Sequence, residues 1–254
     1  MRQETAAFSV TCLDQIKKRV SSFKSMQAFR MKKLFKKLLH KNIAFNHVCE
    51  VGVFLPEYSN IIDFIKKGIR TTLVEADPIT AAKIVVYFKD HNVTVHPVAI
   101  FDRHGQVQLS RYDQSTFVTA LKSTPAIIND RYKQNEADVF TTECRMFSEI
   151  DTGDIDLISI DIEGCEWYVI DKMISRPKII SVETHSKAYV NPNLVQIQNW
   201  MKNNSYTMWY QDLSDTVYVQ SDLFNPGLAD KLQTSYFQGR VKWKKLKQNV
   251  KSRL

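Results

Sequence analysis

Apolar and polar positions follow two regimes along the chain. From Leu13 to Lys41 apolar residues recur at helical spacing (Leu13, Ile16, Val20, Phe23, Met26, Phe29, Leu34, Leu38) with Lys and Arg between them, which predicts one or two basic amphipathic helices. After Asn42 short apolar runs alternate with stretches of helical period, the signature of βαβ units and a parallel sheet. Strands are predicted over 47–52, 71–75, 93–100, 157–161 and 179–183, and helices over 59–67, 79–90, 166–174 and 194–203. The turn His104-Gly105-Gln106 leads into an extended segment at 107–110, residues 139–145 read as a further strand, and 206–210 with 216–220 read as a closing antiparallel pair. Residues 111–138 are polar and show no period. A stretch that long without structure of its own is usually functional, so it is expected to cover a site.

Composition supports one α/β domain with appendages. Of 254 residues, 44% are hydrophobic and 24% charged, enough to build a core. The expected division is 1–42 as a basic helical extension, 43–222 as the domain and 223–254 as a basic C-terminal extension, with Arg240–Lys247 as a mobile tail. The cysteines (Cys12, Cys49, Cys144, Cys165) lie far apart with no C-x-x-C pair, against a disulfide framework or a zinc site. No apolar stretch approaches the roughly 18 residues of a membrane span, and the first residues form no apolar leader core. A cytoplasmic protein is expected.

The net charge of +8 changes meaning once divided. Residues 1–42 hold 11 Lys/Arg against 2 Asp/Glu and residues 240–254 hold 7 against none, leaving 17 against 25 in 43–239. Basic ends flank an acidic body. Nucleic acid or an anionic membrane is a candidate partner for the ends, but the body would repel a polyanion from its own site.

The acids concentrate at predicted strand ends. In open α/β sheets ligands bind outside the carboxyl ends of strands, where strand order reverses. The first strand leads into Glu50-Val51-Gly52 and the second into Glu75-Ala76-Asp77-Pro78. A strand-end carboxylate about 20 residues after a glycine turn is placed to grip a ribose diol, which makes Glu75 the ribose ligand. Gly52 is followed by Val53-Phe54-Leu55-Pro56-Glu57, without the further glycines that let backbone amides approach a pyrophosphate, so a dinucleotide is disfavoured. S-adenosylmethionine (SAM) has no phosphate and carries a sulfonium cation, which suits neighbouring carboxylates. The fourth strand opens into Asp161-Ile162-Glu163-Gly164-Cys165-Glu166 and the fifth ends Glu183-Thr184-His185.

These pieces together resemble the FkbM family of methyltransferases. Asp156–Glu166 resembles its D-L-x-x-I-D-x-E-G-x-E signature, Val182-Glu183-Thr184-His185 its E-x-H strand end, and Glu50-Val51-Gly52, Glu75-Ala76-Asp77-Pro78 and Val98-Ala99-Ile100 its earlier strands. The resemblance covers about residues 43–220. It implies a Rossmann-like class I methyltransferase fold, a mostly parallel seven-stranded sheet with helices on both faces, and SAM-dependent O-methylation of a hydroxyl on a sugar or small metabolite. Carried onto this chain, the cofactor residues are Glu50, Gly52, Phe54, Ser59, Glu75, Ala76, Asp77, Ala99, Ile100 and Asp161. The catalytic candidates are His185, Asp161, Glu163 and Glu183, with His185 the favoured base oriented by Glu183 or Glu163. A divalent cation held by these acids and His185 is the less favoured alternative, and no metal ligand set is assigned. The family's G-A-N-x-G loop is replaced by Gly52-Val53-Phe54-Leu55-Pro56, and Pro56 lacks an amide donor. Two further readings stand: an RNA methyltransferase steered by the basic ends, and a fold that has lost turnover and serves as a binding or assembly subunit.

Overall fold

A computed structural model describes residues 31–113 and 115–251. The chain divides into two compact units, Met1–Ile43 and Ala44–Leu254. In the first, the described residues hold one short helix, α1 (Lys33–Leu38), with Leu34, Phe35 and Leu38 buried. The remainder of the expected basic helices, up to residue 30, lies outside the described residues.

The second unit is built on the parallel strands β1 (His47–Val51), β2 (Arg70–Val74), β3 (Val93–His96), β8 (Leu157–Ile160) and β9 (Ile179–Glu183), the inner ones buried on both faces as a parallel sheet covered by helices requires and the edge strand β3 not. β1, β8 and β9 are buried at every position. Strands β10 (Tyr206–Gln211) and β11 (Asp215–Gln220) complete a seven-stranded sheet in the order β10-β11-β9-β8-β1-β2-β3. All neighbours are parallel except β11, antiparallel to both β9 and β10. The expected mostly parallel sheet is therefore present. Its order runs outward from β1 to β3, then resumes with β8 on the other side of β1, so the switch point lies between β1 and β8. The connecting helices are α2 (Ile62–Ile65), α3 (Pro78–Tyr87), α5 (Glu166–Asp171) and α6 (Leu194–Asn203).

Three expectations need correction. The strand expected over 93–100 is two: β3 ends at His96, and β4 (Ala99–Ile100) joins a different sheet. Pro97 has no amide for the ladder, and a tight turn closed by Val98 N donating to His96 O (3.0 Å) redirects the chain. The polar stretch 111–138 is not a structureless cover. β5 (Gly105–Tyr112) and β6 (Ser115–Val118) form a hairpin, followed by α4 (Pro125–Asn129), whose N-cap Thr124 accepts from Ile127 N. With β7 (Val139–Arg145) these strands make a four-stranded sheet, β4-β7-β5-β6, inserted between β3 and β8. The C-terminal tail is helical as far as Lys251, as α7 (Leu228–Lys251). Its first turns are anchored to β10: Trp209 Nε1 donates to Asp230 Oδ2 (3.1 Å) and Thr234 Oγ1 to Trp209 O (3.5 Å). Once such a turn is fixed, Lys, Gln and Leu extend a helix at little cost. Among the described residues no helix is long and apolar enough to cross a membrane.

The core lies between the main sheet and its helices, around Ile158, Ile160, Phe147, Val169, Ile180 and Ile197, each no more than 1% exposed. Ile158→Ala is expected to cost about 2–5 kcal/mol. Val195→Ala, at a position 54% exposed on α6, is expected to stay within roughly 0.5 kcal/mol. Urea unfolding of the two variants measures the difference.

Candidate active site

The carboxyl ends of β1, β2 and β8 open into a cleft of ≈ 810 Å³, closed on its far side by the β5–β6 hairpin. The size falls in the range of small-molecule sites. Nine of the ten expected cofactor residues line it: Glu50, Gly52, Phe54, Glu75, Ala76, Asp77, Ala99, Ile100 and Asp161. Of the catalytic candidates, Asp161 and Glu163 line it; Glu183 and His185 do not.

Gly52 follows β1 and lies against Asp161, the residue that follows β8. Its φ of +85° suits glycine, and a Cβ there would stand 1.8 Å from the Asp161 carbonyl oxygen. The amides that follow turn onto Glu75. Val53 N (3.2 Å) and Phe54 N (2.9 Å) donate to Oε2, and Asp77 N (2.9 Å) donates to Oε1. Burial raises the Glu75 carboxyl above the ordinary glutamate value against the pull of these amides. Glu50, 1% exposed, fixes the next turn by accepting from Ser59 Oγ (2.5 Å) and Asn60 N (2.7 Å). Ser59 thus supports Glu50 and is the one expected cofactor residue outside the cleft lining. Pro56 is the first residue of a 3₁₀ turn, Pro56–Tyr58, where a fixed φ is an advantage and a missing amide costs nothing.

After β8 the chain makes the turn Asp161–Glu166. Glu166 Oε1 accepts from Ile162 N (3.1 Å) and Gly164 N (3.0 Å), and Oε2 from Asn191 Nδ2 (2.5 Å). Glu163 is held at φ +57°, a conformation costly for a side-chain-bearing residue and concentrated at functional sites; Phe54, also in the cleft, has the same φ. Ser115 Oγ on β6 donates to Glu163 Oε1 (2.8 Å), while Oε2 is buried without a partner. Burial, with the charge of Glu166, pushes Asp161 up to about 7, and burial with Asp161 pushes Glu163 up to about 8.

His185, expected as the base, lies outside the cleft lining with both ring nitrogens in hydrogen-bond contact. It is 2% exposed, and its Nε2 lies 3.1 Å from Asp212 O, an atom that only accepts, so Nε2 carries the proton. Nδ1 then accepts from Thr184 Oγ1 (2.8 Å), leaving no lone pair for a substrate. The imidazole ties the end of β9 to the turn before β11. The stretch 111–138, expected to cover a site, does contribute Arg111, Tyr112, Ser115 and Phe117 to the cleft, with Leu109 before it, but as part of a sheet that the sequence reading missed. Arg111 Nε donates to Asp77 Oδ2 (2.7 Å) and its guanidinium lies 4.5 Å from the Phe140 ring centroid. Burial alone would raise the Asp77 carboxyl, but Arg111 and the Ile79 amide outweigh it and hold it below the usual aspartate value. The period-2 alternation over 105–112 was the available signal.

A mostly parallel seven-stranded sheet with an acid-lined cleft at its switch point defines an α/β protein of the methyltransferase class. The family profile of the methyltransferase FkbM domain matches residues 41–208, and the chain belongs to that family. No curated protein matches the chain. Among solved structures it is similar to a putative RNA methyltransferase from Pyrococcus horikoshii, at 8% identity and a TM-score of 0.40, covering 74% of this chain and 79% of that one. It is also similar to an O-methyltransferase from Bacillus cereus in complex with SAH, at 16% identity and a TM-score of 0.37, covering 79% and 86%.

Gly52→Ala is expected to lower the melting temperature well beyond Gly68→Ala. Both glycines have positive φ, but a Cβ on Gly68 meets nothing within 4 Å, so only the backbone strain, about 1–2 kcal/mol, applies there. Calorimetry of the pair separates strain from the clash with Asp161.

Proposed function

We propose that the chain is a SAM-dependent O-methyltransferase acting on a hydroxyl of a sugar or small metabolite. The observation that carries the cofactor reading is the state of the β1 loop: the amides of Val53 and Phe54 are spent on Glu75 and cannot receive a pyrophosphate. A carboxylate offers about four acceptor sites. Three are taken, and the remaining site on Oε1 is available to a ribose hydroxyl. Ala99, Ile100, Leu109 and Phe117 form an apolar wall suited to a planar base, and Asp161 stands where a positive sulfonium gains from a nearby carboxylate.

SAM, when bound, supplies a methyl group already activated for displacement. What the protein adds is the position of the acceptor and a place for its proton. Glu163 is the base: it lines the cleft, its Oε1 is fixed by Ser115, and its Oε2 has no other partner. Tyr112, Ser115, Asp130 and Lys187 line the same cleft with hydrogen-bonding groups, which favours a hydroxylated acceptor. Arg111 and Lys187 are engaged by Asp77 and Asp130, so two of the cleft cations are already balanced, which weighs against a polyanionic acceptor.

Glu75→Ala is expected to weaken SAM binding by about 10-fold or more in isothermal titration, the worth of a hydrogen bond to a charged group. Glu163→Gln is expected to keep that affinity and lose about 10²–10⁴ in turnover. Turnover is read by incubating labelled SAM with a panel of glycans, metabolites and RNA. Unchanged affinity in Glu75→Ala, or label entering only RNA, overturns the proposal.

A further inference from the structure

Behind Asp161 the cleft floor holds more negative charge than methyl transfer uses. Burial raises the carboxyls of Asp161, Glu163, Glu166, Glu183 and Asp215, and neighbouring carboxylates add to it: Glu166 on Asp161, Asp161 and Glu166 on Glu163, those three and Asp215 on Glu183, and Asp161 on Asp215. Among the described residues none of these carboxylates has an ion pair with Lys, Arg or His. One oxygen each of Asp161, Glu166 and Glu183 lies within 4.8 Å of the others, as ligands around one ion do.

Two buried polar atoms of these elements lack hydrogen-bond partners. Glu183, 6% exposed, has its Oε2 buried without a hydrogen-bond partner, and so has the hydroxyl of Tyr189, a residue fully withdrawn from solvent. The Tyr189 hydroxyl reaches the Gly164 turn, 3.5 Å from where a Cβ on Gly164 would stand, and it feels the charges of Glu166, Glu183 and Glu163. Glu183 Oε2 receives no donor, and Glu166 accepts from three donors, which suits its anion. A cation beside them gives Oε2 a partner and offsets the charge of Glu166.

We infer that Asp161, Glu166 and Glu183 form a binding site for one hard divalent cation, of the Mg²⁺, Mn²⁺ or Ca²⁺ type. All three donors are carboxylate oxygens, the ligand set of such ions, and softer metals that prefer nitrogen or sulfur have nothing to select them here. Asp161 lines the cleft while Glu166 and Glu183 lie outside its lining, so the ion enters from the cleft and keeps one side open to it. Any part the ion plays in methyl transfer rests on the function proposed above; its binding does not.

Mn²⁺ is the probe. Full-length protein stripped with EDTA is titrated with Mn²⁺, and free ion is read by electron paramagnetic resonance in the absence of SAM. One Mn²⁺ per chain is expected, displaced by Mg²⁺ or Ca²⁺. Glu183→Gln and Asp161→Asn are each expected to lose at least about tenfold in affinity, with Glu143→Gln, at an exposed position on β7, unchanged. Thermal melts establish that each variant is folded, and either ligand variant suffices if the other is not. No Mn²⁺ bound at about 1 mM, or an affinity unmoved by Glu183→Gln and Asp161→Asn, overturns the site. SAM titration of the same samples keeps the two ideas apart: SAM binding without Mn²⁺ sinks only the metal site, and Mn²⁺ binding without SAM sinks only the proposed cofactor.

Discussion

The close crossing of Gly52 over the Asp161 carbonyl is the constraint on which the site depends. β1 and β8 are adjacent parallel strands, and Asp161 N donates to Val51 O (2.9 Å) just where the sheet order switches. Backbones this close leave no room for a side chain, so the chain must turn away on both sides of the contact. On one side it becomes the loop whose amides hold Glu75, and on the other the Asp161–Glu166 turn. The cleft is the gap those two departures leave.

Its electrostatics follow from the same geometry. Parallel strands ending together bring the acids at their ends together, and the helices that cover the sheet withdraw them from water. Each carboxylate then raises its neighbours, which would be costly without compensation. A sulfonium at Asp161 and a divalent ion behind it are compensations of the same kind, one from above the floor and one within it. Backbone amides perform the task for Glu75, which orients the loop after β1.

The inserted sheet gives this scaffold its particular acceptor side. Arg111 and Ser115 on the β5–β6 hairpin reach back to Asp77 and Glu163, so the hairpin wall is tied to both the cofactor half and the reactive carboxylate.

The sequence alone determined the alternation of buried strands and helices, the acids at strand ends and the family, because those depend on local period and on residue type. Asp156 sits at the start of β8, accepting from Asn46 N and pairing with Lys178, while Asp161 sits beyond its end, a strand length away. Only the tertiary structure decided that His185 has both ring nitrogens occupied, that Ser59 supports Glu50, that residues 105–118 form a wall of the cleft, and that α7 docks on β10. Each of these rests on partners from other elements or on distant strand pairing, and no local pattern records which residues the fold brings within hydrogen-bond reach.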